Sequence, residues 1–312
     1  MATRVIIAGA TGFIGRALCR ELHRDYEIIA LSRDVTKAAH IVGEYATAAE
    51  WDARTASGWA RHVAGAHAII NLAGEDIGAG RWTQAKRDSI MQSRTNSANA
   101  VLDAVNTAKN KPAVVIQASG INYYGSCGAD VLDESAPPGG GFLAEVTRKV
   151  ESIVAKTEKV GVRWVATRSG MVLGREGGAL PRFMTPFRFY VGGYVGNGRQ
   201  WVSWISLRDE IRAIRFLTEH ANLQGAFNLA APNPVTMKQF ARTLGQVLRR
   251  PAWTFFPGFA ARLAFGQMAD EVLLASQRAI PKRLMEAGFH FEYPDLPTAL
   301  EVVLRGGNHE PD

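Results

Sequence analysis

Apolar residues arrive in short unbroken runs along the first half of the chain. "RVIIA" begins at residue 4 and "EIIALSR" at residue 27. "AIINLAG" begins at residue 68, "AVVIQASG" spans 113 to 120 and "VRWVATRSG" spans 162 to 170. Runs rich in branched side chains without polar alternation suit strands buried on both faces. Between them the apolar spacing turns helical: Ala17, Leu18 and Leu22 after the first run, then longer segments over Thr83 to Ala108 and Phe142 to Val160. Strands alternating with helices predict a doubly wound α/β domain, a parallel sheet with helices on both faces.

The pattern changes after about residue 175. "GREGGALPRFMTPF" reads as a linker, and "GGYVGNGRQWVSWI" carries glycines and two tryptophans. A short strand, "AFNLA", leads into a helix entered through Thr236. "AARLAFGQMADEVLLASQRAIPKRLMEAGF" reads as largely helical, and the Met and Phe residues from Phe255 to Met285 are expected in the core. The expected organisation is a Rossmann-type dinucleotide-binding domain over 1–175, with segments around 205–231 returning to it. A smaller, mostly helical, substrate-side domain is expected over 176–204 and 232–305. The tail "RGGNHEPD" is expected to fray.

Composition narrows the setting. The 312 residues carry a formal net charge of +7. The cations are scattered, which predicts a solvated basic surface and no nucleic-acid partner. Two distant cysteines, Cys19 and Cys127, make neither a disulfide framework nor a metal site. His220, His290 and His309 lack metal spacing. No signal peptide is evident. No run approaches the roughly 20 apolar residues that span a bilayer. A cytoplasmic protein without a membrane partner is expected; the oligomeric state is not legible.

"GATGFIG" follows the first strand and opens a helix. Glycine there lets backbone amides approach a pyrophosphate at the positive end of the helix. Gly9 permits the tight turn, Gly12 the close approach, and Gly15 the packing of helix on strand. The spacing is G-x-x-G-x-x-G rather than the usual G-x-G-x-x-G. Thr11, Phe13 and Ile14 fall inside the turn. At the end of the second strand an acid would favour NAD, and an arginine would accommodate the 2′-phosphate of NADP. Ser32 and Arg33 stand there, with Asp34 one step later. This predicts NADP(H) over NAD(H).

"NLAGEDIGAGRW", "YYG", "FLAEV", "GRQWVSWI", "APNPV" and "GFHFEYPDL" extend the pattern over nearly the whole chain. Together they resemble an atypical extended short-chain dehydrogenase/reductase. The subgroup is the epimerase family proteins, with their characteristic small C-terminal domain. The resemblance implies that Gly9, Gly12, Phe13, Ile14 and Gly15 surround the pyrophosphate. It implies that Ser32 and Arg33 meet the adenosine, and that Asp52, closing a further strand, sits by the adenine. Leu72, Ala73 and Gly74 would line the cofactor, with Ser119 near the nicotinamide and Gly170 near its carboxamide.

The wider family uses a Tyr-x-x-x-Lys pair on one helix. Aligning Glu151 with the acid that usually follows the lysine puts Leu143 at the tyrosine and Thr147 at the lysine. Neither can exchange a proton or lower a phenol pKa. Lys149 lies about 200° further round the helix. The family's helix asparagine falls near Arg94. Tyr124 and Ser119 are the remaining polar candidates for acid–base work, and Glu75 and Glu145 the nearest acids. Arg81, Trp82, Tyr123, Arg199, Trp201 and Trp204 are candidates for holding a substrate through cation and ring contacts. Two functions stay open. One is an NADP(H)-dependent epimerase or oxidoreductase acting on a sugar nucleotide. The other is an NADP(H)-sensing protein that has lost its chemistry.

Overall fold

In a computed structural model, residues 3–305 are described; the tail expected to fray lies almost wholly outside them. The central sheet has seven strands. They are β1 (Thr3–Ala8), β2 (Tyr26–Ser32), β3 (Thr47–Glu50), β4 (Ala66–Asn71), β5 (Val114–Ala118), β6 (Arg163–Ser169) and β7 (Gly225–Leu229). Their spatial order is β7-β6-β5-β4-β1-β2-β3, and every pairing is parallel. The apolar runs become the central strands because they are covered on both sides. Val5, Ile6 and Ile7 have no exposed surface, and odd and even positions feed separate cores on opposite faces. β3 escaped the periodicity because "TAAE" is a short edge strand with little apolar surface.

Helices α1 (Phe13–Leu22), α2 (Val35–Val42), α3 (Gln84–Thr107) and α4 (Phe142–Val154) follow the strands in turn. Thr83 caps α3 by accepting from the Lys86 amide. The segment expected to be one helix to Val160 is α4 continued by a 3-10 turn over Ala155–Val160. Next come α5 (Leu180–Arg188) and α6 (Leu207–Glu219), which packs against α1, and β7 rejoins the sheet.

A second core lies beyond the sheet. It gathers Leu180 and Phe187 of α5, Phe240 and Leu244 of α7 (Met237–Leu248), and Leu300 of α10 (Leu296–Arg305). The C-terminal stretch is less helical than its spacing implied. A strand over Ala252–Phe256 pairs with Gly192–Val195. Then come α8 (Gly258–Phe265), a π-turn over Ala269–Leu273 and a short α9 (Lys282–Glu286). Several side chains expected in the core are exposed instead, among them Phe255, Phe259 and Met285. Helical spacing of these aromatic residues implies a buried helix face, but this strand and helix turn theirs outward.

Candidate functional site

Between β1 and β4 the strand order reverses, and a crevice opens at their carboxyl ends. Gly9 sits there with φ +77°, and a Cβ on it would lie 2.9 Å from the Leu72 carbonyl carbon. A Cβ on Gly15 would meet the Gly9 oxygen at 2.3 Å, so helix and turn touch backbone to backbone. Gly12 caps α1 with no side-chain partner, and its absent Cβ would approach only the Gly9 oxygen, at 3.1 Å. The first amides of α1 therefore carry no side-chain cap, the arrangement in which a helix N-terminus can hold an anionic oxygen. Phe13 departs from expectation. Its ring is wedged against Gly174, Gly177 and Gly178, so it fastens the turn to the loop after β6.

At the adenosine end, Ser32 donates to the Asp34 carbonyl. Asp34 accepts from the Lys37 amide and caps α2, so its carboxylate faces the helix. Arg33 is exposed and, among the described residues, has no hydrogen-bond partner. Asp52 closes a turn of its own. Its burial acts to raise the pKa, but amide hydrogen bonds from Thr55 and Arg54 outweigh that and hold the carboxyl low. Both its oxygens serve this local turn, with the Thr55 hydroxyl on the second.

The loop after β4 is held from below. Asn71 donates to Ser97 and Gln117 and accepts from the Ala73 amide, fixing Leu72, Ala73 and Gly74 beside the glycine turn. A cavity of about 60 Å³ opens past it, lined by Arg94, Ser119, Gly120, Asn122, Leu143 and Thr147, among others. The α4 residues facing it include Leu143 and Thr147, one turn apart, as the sequence register predicted. The Thr147 hydroxyl donates to the Leu143 and Ala144 carbonyls. Glu145 and Lys149 are exposed. Arg94 donates to the Glu75 carbonyl at 3.0 Å, and burial pushes its guanidinium pKa down.

Behind this cavity runs a buried polar chain that the sequence did not reveal. Ser119 donates to Glu151 at 2.7 Å. Arg168 meets the same carboxylate through Nε at 3.0 Å and Nη2 at 2.8 Å. Arg168 also donates to the Tyr124 hydroxyl, which donates to Asn228 at 2.7 Å. The Arg168 guanidinium stacks 3.4 Å from the centre of the Tyr123 ring. Tyr124 has no exposed surface, and burial pushes its phenol up to about 12. This corrects the expected acid–base role, because the hydroxyl is fully partnered inside the protein. Tyr124→Phe is expected to cost about 1–2 kcal/mol of stability, the price of two unmet partners. Dinucleotide binding should stay intact; a large loss of binding in the folded variant would contradict this placement.

Two carboxylates complete the surroundings. Glu271, from the π-turn, accepts from the Phe142 and Leu143 amides at 2.9 and 2.7 Å and so caps α4. The signal for it was an absence. "GGG" precedes α4 with no Ser, Thr, Asp or Asn cap, so the orphan amides needed an acid from elsewhere. Glu210 is buried under the end of β6, where Ser169 donates to it at 2.6 Å. Burial, against that hydrogen bond, pushes its carboxyl up to about 8. Gly170 is held by its amide on the Leu229 carbonyl, and a Cβ there would meet the Ser203 oxygen at 2.7 Å.

The residues proposed for substrate divide. Arg199 and Trp201 line a second cavity of about 600 Å³ together with Gln200, Phe259 and Arg262. The Arg278 guanidinium lies 4.2 Å from the centre of the Trp201 ring. The others have partners within the protein. Trp204 is fully buried and donates to the Asn233 carbonyl. Trp82 is buried, donates to the Ile77 carbonyl and packs edge-on against Phe142. Arg81 donates to the Leu263 carbonyl, tying the loop to α8. Glu75 is paired with Lys86 at 2.6 Å. Tyr123 lies under Arg168.

A glycine cradle at the switch point of a parallel, doubly wound sheet defines a dinucleotide-binding α/β protein. Residues 5–230 match the NAD dependent epimerase/dehydratase family, and the chain belongs to that family. Residues 256–303 match a domain of unknown function, DUF1731. The chain is 36% identical over 300 residues to Epimerase family protein ML0860 of Mycobacterium leprae, covering 96% of this chain and 95% of that one. It is 36% identical to Epimerase family protein YfhF of Bacillus subtilis, over 96% and 97% of the two chains. Among solved structures it resembles human epimerase family protein SDR39U1 with NADPH. The TM-score is 0.86 and the identity 29%, over 97% of this chain and 99% of that one. No described helix is long and apolar enough to cross a membrane.

Proposed function

We propose that the chain binds NADP(H) along the carboxyl edge of the sheet and exchanges hydride with a nucleotide-linked sugar or a similar anionic metabolite. The observation that carries this is the glycine turn at the carboxyl end of β1, accompanied by the Ser119 cavity and by a separate, larger cavity bearing Arg199, Trp201 and Arg262. When bound, the dinucleotide supplies the hydride. The α1 amides would hold its pyrophosphate, and Arg33, free of protein partners, would hold the 2′-phosphate. Arg199 would pair with a substrate phosphate and the Trp201 ring would stack on a base or sugar.

On this reading α4 supplies no acid–base pair, since Leu143 and Thr147 occupy the positions facing the cavity. Arg94 is the cation there, suited to polarising an oxygen rather than to moving a proton. The sensing alternative also has an observation in its favour: the Ser119 and Tyr124 hydroxyls are both spent on the buried chain. Incubation with NADP⁺ or NADPH and a panel of nucleotide sugars separates the two. Hydride exchange predicts a change in nicotinamide absorbance or in sugar stereochemistry by NMR. No change with any member of the panel, alongside intact NADPH binding, would favour sensing.

A further inference from the structure

We propose that the lobe carrying α5, α7 and α8 docks face-on against an anionic lipid surface. Two neighbouring segments form the contact. The turn after α5 exposes Phe189, Tyr190 and Val191 at 72%, 53% and 53%. Beside it, the strand Ala252–Phe256 exposes Trp253 and Phe255 at 77% and 61%, with Trp253 at a break in the pairing register. The segments are tied together: the Trp253 indole donates to the Tyr190 carbonyl, and the Thr254 hydroxyl to the Val191 and Gly192 carbonyls. Tyr190 is held at φ +61°, and Arg250 donates to its hydroxyl. A bulky residue adopts that conformation only where its surroundings impose it. Here the constraint keeps an aromatic ring at the surface. Directly after the strand, α8 adds Phe259 and Leu263 at 73% and 75% exposure, one turn apart.

Charge selects the occupant. Residues 177–208 and 232–269, which carry both segments and α8, contain no Asp or Glu and nine Lys or Arg; Arg182 and Arg262 among them pair with Asp76 and Asp270 from outside these stretches. Arg188 and Arg250 are exposed at the edge of the aromatic cluster, and neither forms an ion pair among the described residues. A second copy would bring the same cations face to face. Apart from Phe259, which lines the larger cavity, the exposed apolar side chains line neither described cavity. A folded partner would have to supply a matching hole for each, whereas a fluid interface receives them without one. Aromatic rings flanked by arginines match the headgroup region of an anionic bilayer, where apolar burial and charge attraction act together. The absence of a spanning helix bears only on crossing a membrane, not on lying against it.

The test is co-sedimentation of the intact protein with vesicles of phosphatidylcholine alone or containing about 30% phosphatidylglycerol. The protein is expected to pellet with the anionic vesicles and not with the neutral ones. Arg188→Gln with Arg250→Gln should weaken partitioning about 25-fold, about fivefold for each cation. Trp253→Ser with Phe255→Ser should weaken it at least about tenfold through lost apolar burial. Trp253→Ser removes the indole bond to the Tyr190 carbonyl, so a small drop in the thermal melt is expected; Phe189→Ser, at a side chain 72% exposed, offers the same test from the neighbouring segment. Three outcomes would overturn the proposal: no binding to anionic vesicles, binding indifferent to both aromatic variants, or patch-dependent association with a second copy or a single-stranded oligonucleotide in place of lipid.

Discussion

Gly12→Val is expected to abolish NADPH binding while leaving the fold intact. The physical contrast with the neighbouring glycines makes this specific. A side chain on Gly15 would be driven into the Gly9 carbonyl at 2.3 Å, and one on Gly9 would require φ +77°. Both would strain the turn itself. Gly12 has ordinary extended geometry, φ −75° and ψ 175°, and its Cβ would meet protein only at the Gly9 oxygen. A valine there occupies the space in front of the first α1 amides, the space a pyrophosphate must enter. Titration of the folded variant with NADPH, followed calorimetrically, should give no heat of binding. Retained binding would show that the dinucleotide does not lie in this cradle.

Arg168→Met is expected to destabilise the protein by about 3–5 kcal/mol, because it leaves Glu151 buried without its countercharge. Both partners are almost fully buried, and their bonds are bidentate. Burial acts to lower the Arg168 pKa, but the Glu151 hydrogen bond and charge outweigh it, so the guanidinium stays charged. The same substitution removes a donor from Tyr124 and the cation stacked on Tyr123. Replacing both charges, as Arg168→Met with Glu151→Leu, should recover much of the loss, since the cost is the stranded charge. Urea unfolding of the two variants reads this directly. A single variant as stable as the parent would mean that the pair contributes little.

The sheet was legible because fully buried parallel strands leave unbroken apolar runs, and five of the seven strands announce themselves that way. β3 does not, because an edge strand buries little. The glycine turn was legible because its requirement is local backbone geometry. Leu143 and Thr147 were placed on the cavity side of α4 by the family resemblance, through Glu151, and Lys149 on the far side by helical register. Long-range partnerships were not legible. Nothing in "ESIV" or "ATRSG" says that Glu151 will meet Arg168 beneath Ser119, or that Tyr124 will spend its hydroxyl on Asn228. The tryptophans failed for a related reason. Trp82, Trp201 and Trp204 have the same composition signal, and only the packing around each separates a cavity wall from a core.

On the proposed function, this edge of the sheet is an NADP(H) site read by Arg33. Its most direct test is calorimetric titration of the parent protein and Arg33→Ala with NADPH and with NADH. The parent is expected to favour NADPH by about 1.5–3 kcal/mol, the worth of a charged hydrogen bond, and Arg33→Ala to remove most of that preference. Equal affinities of the parent for the two dinucleotides, or a preference untouched in Arg33→Ala, would contradict it.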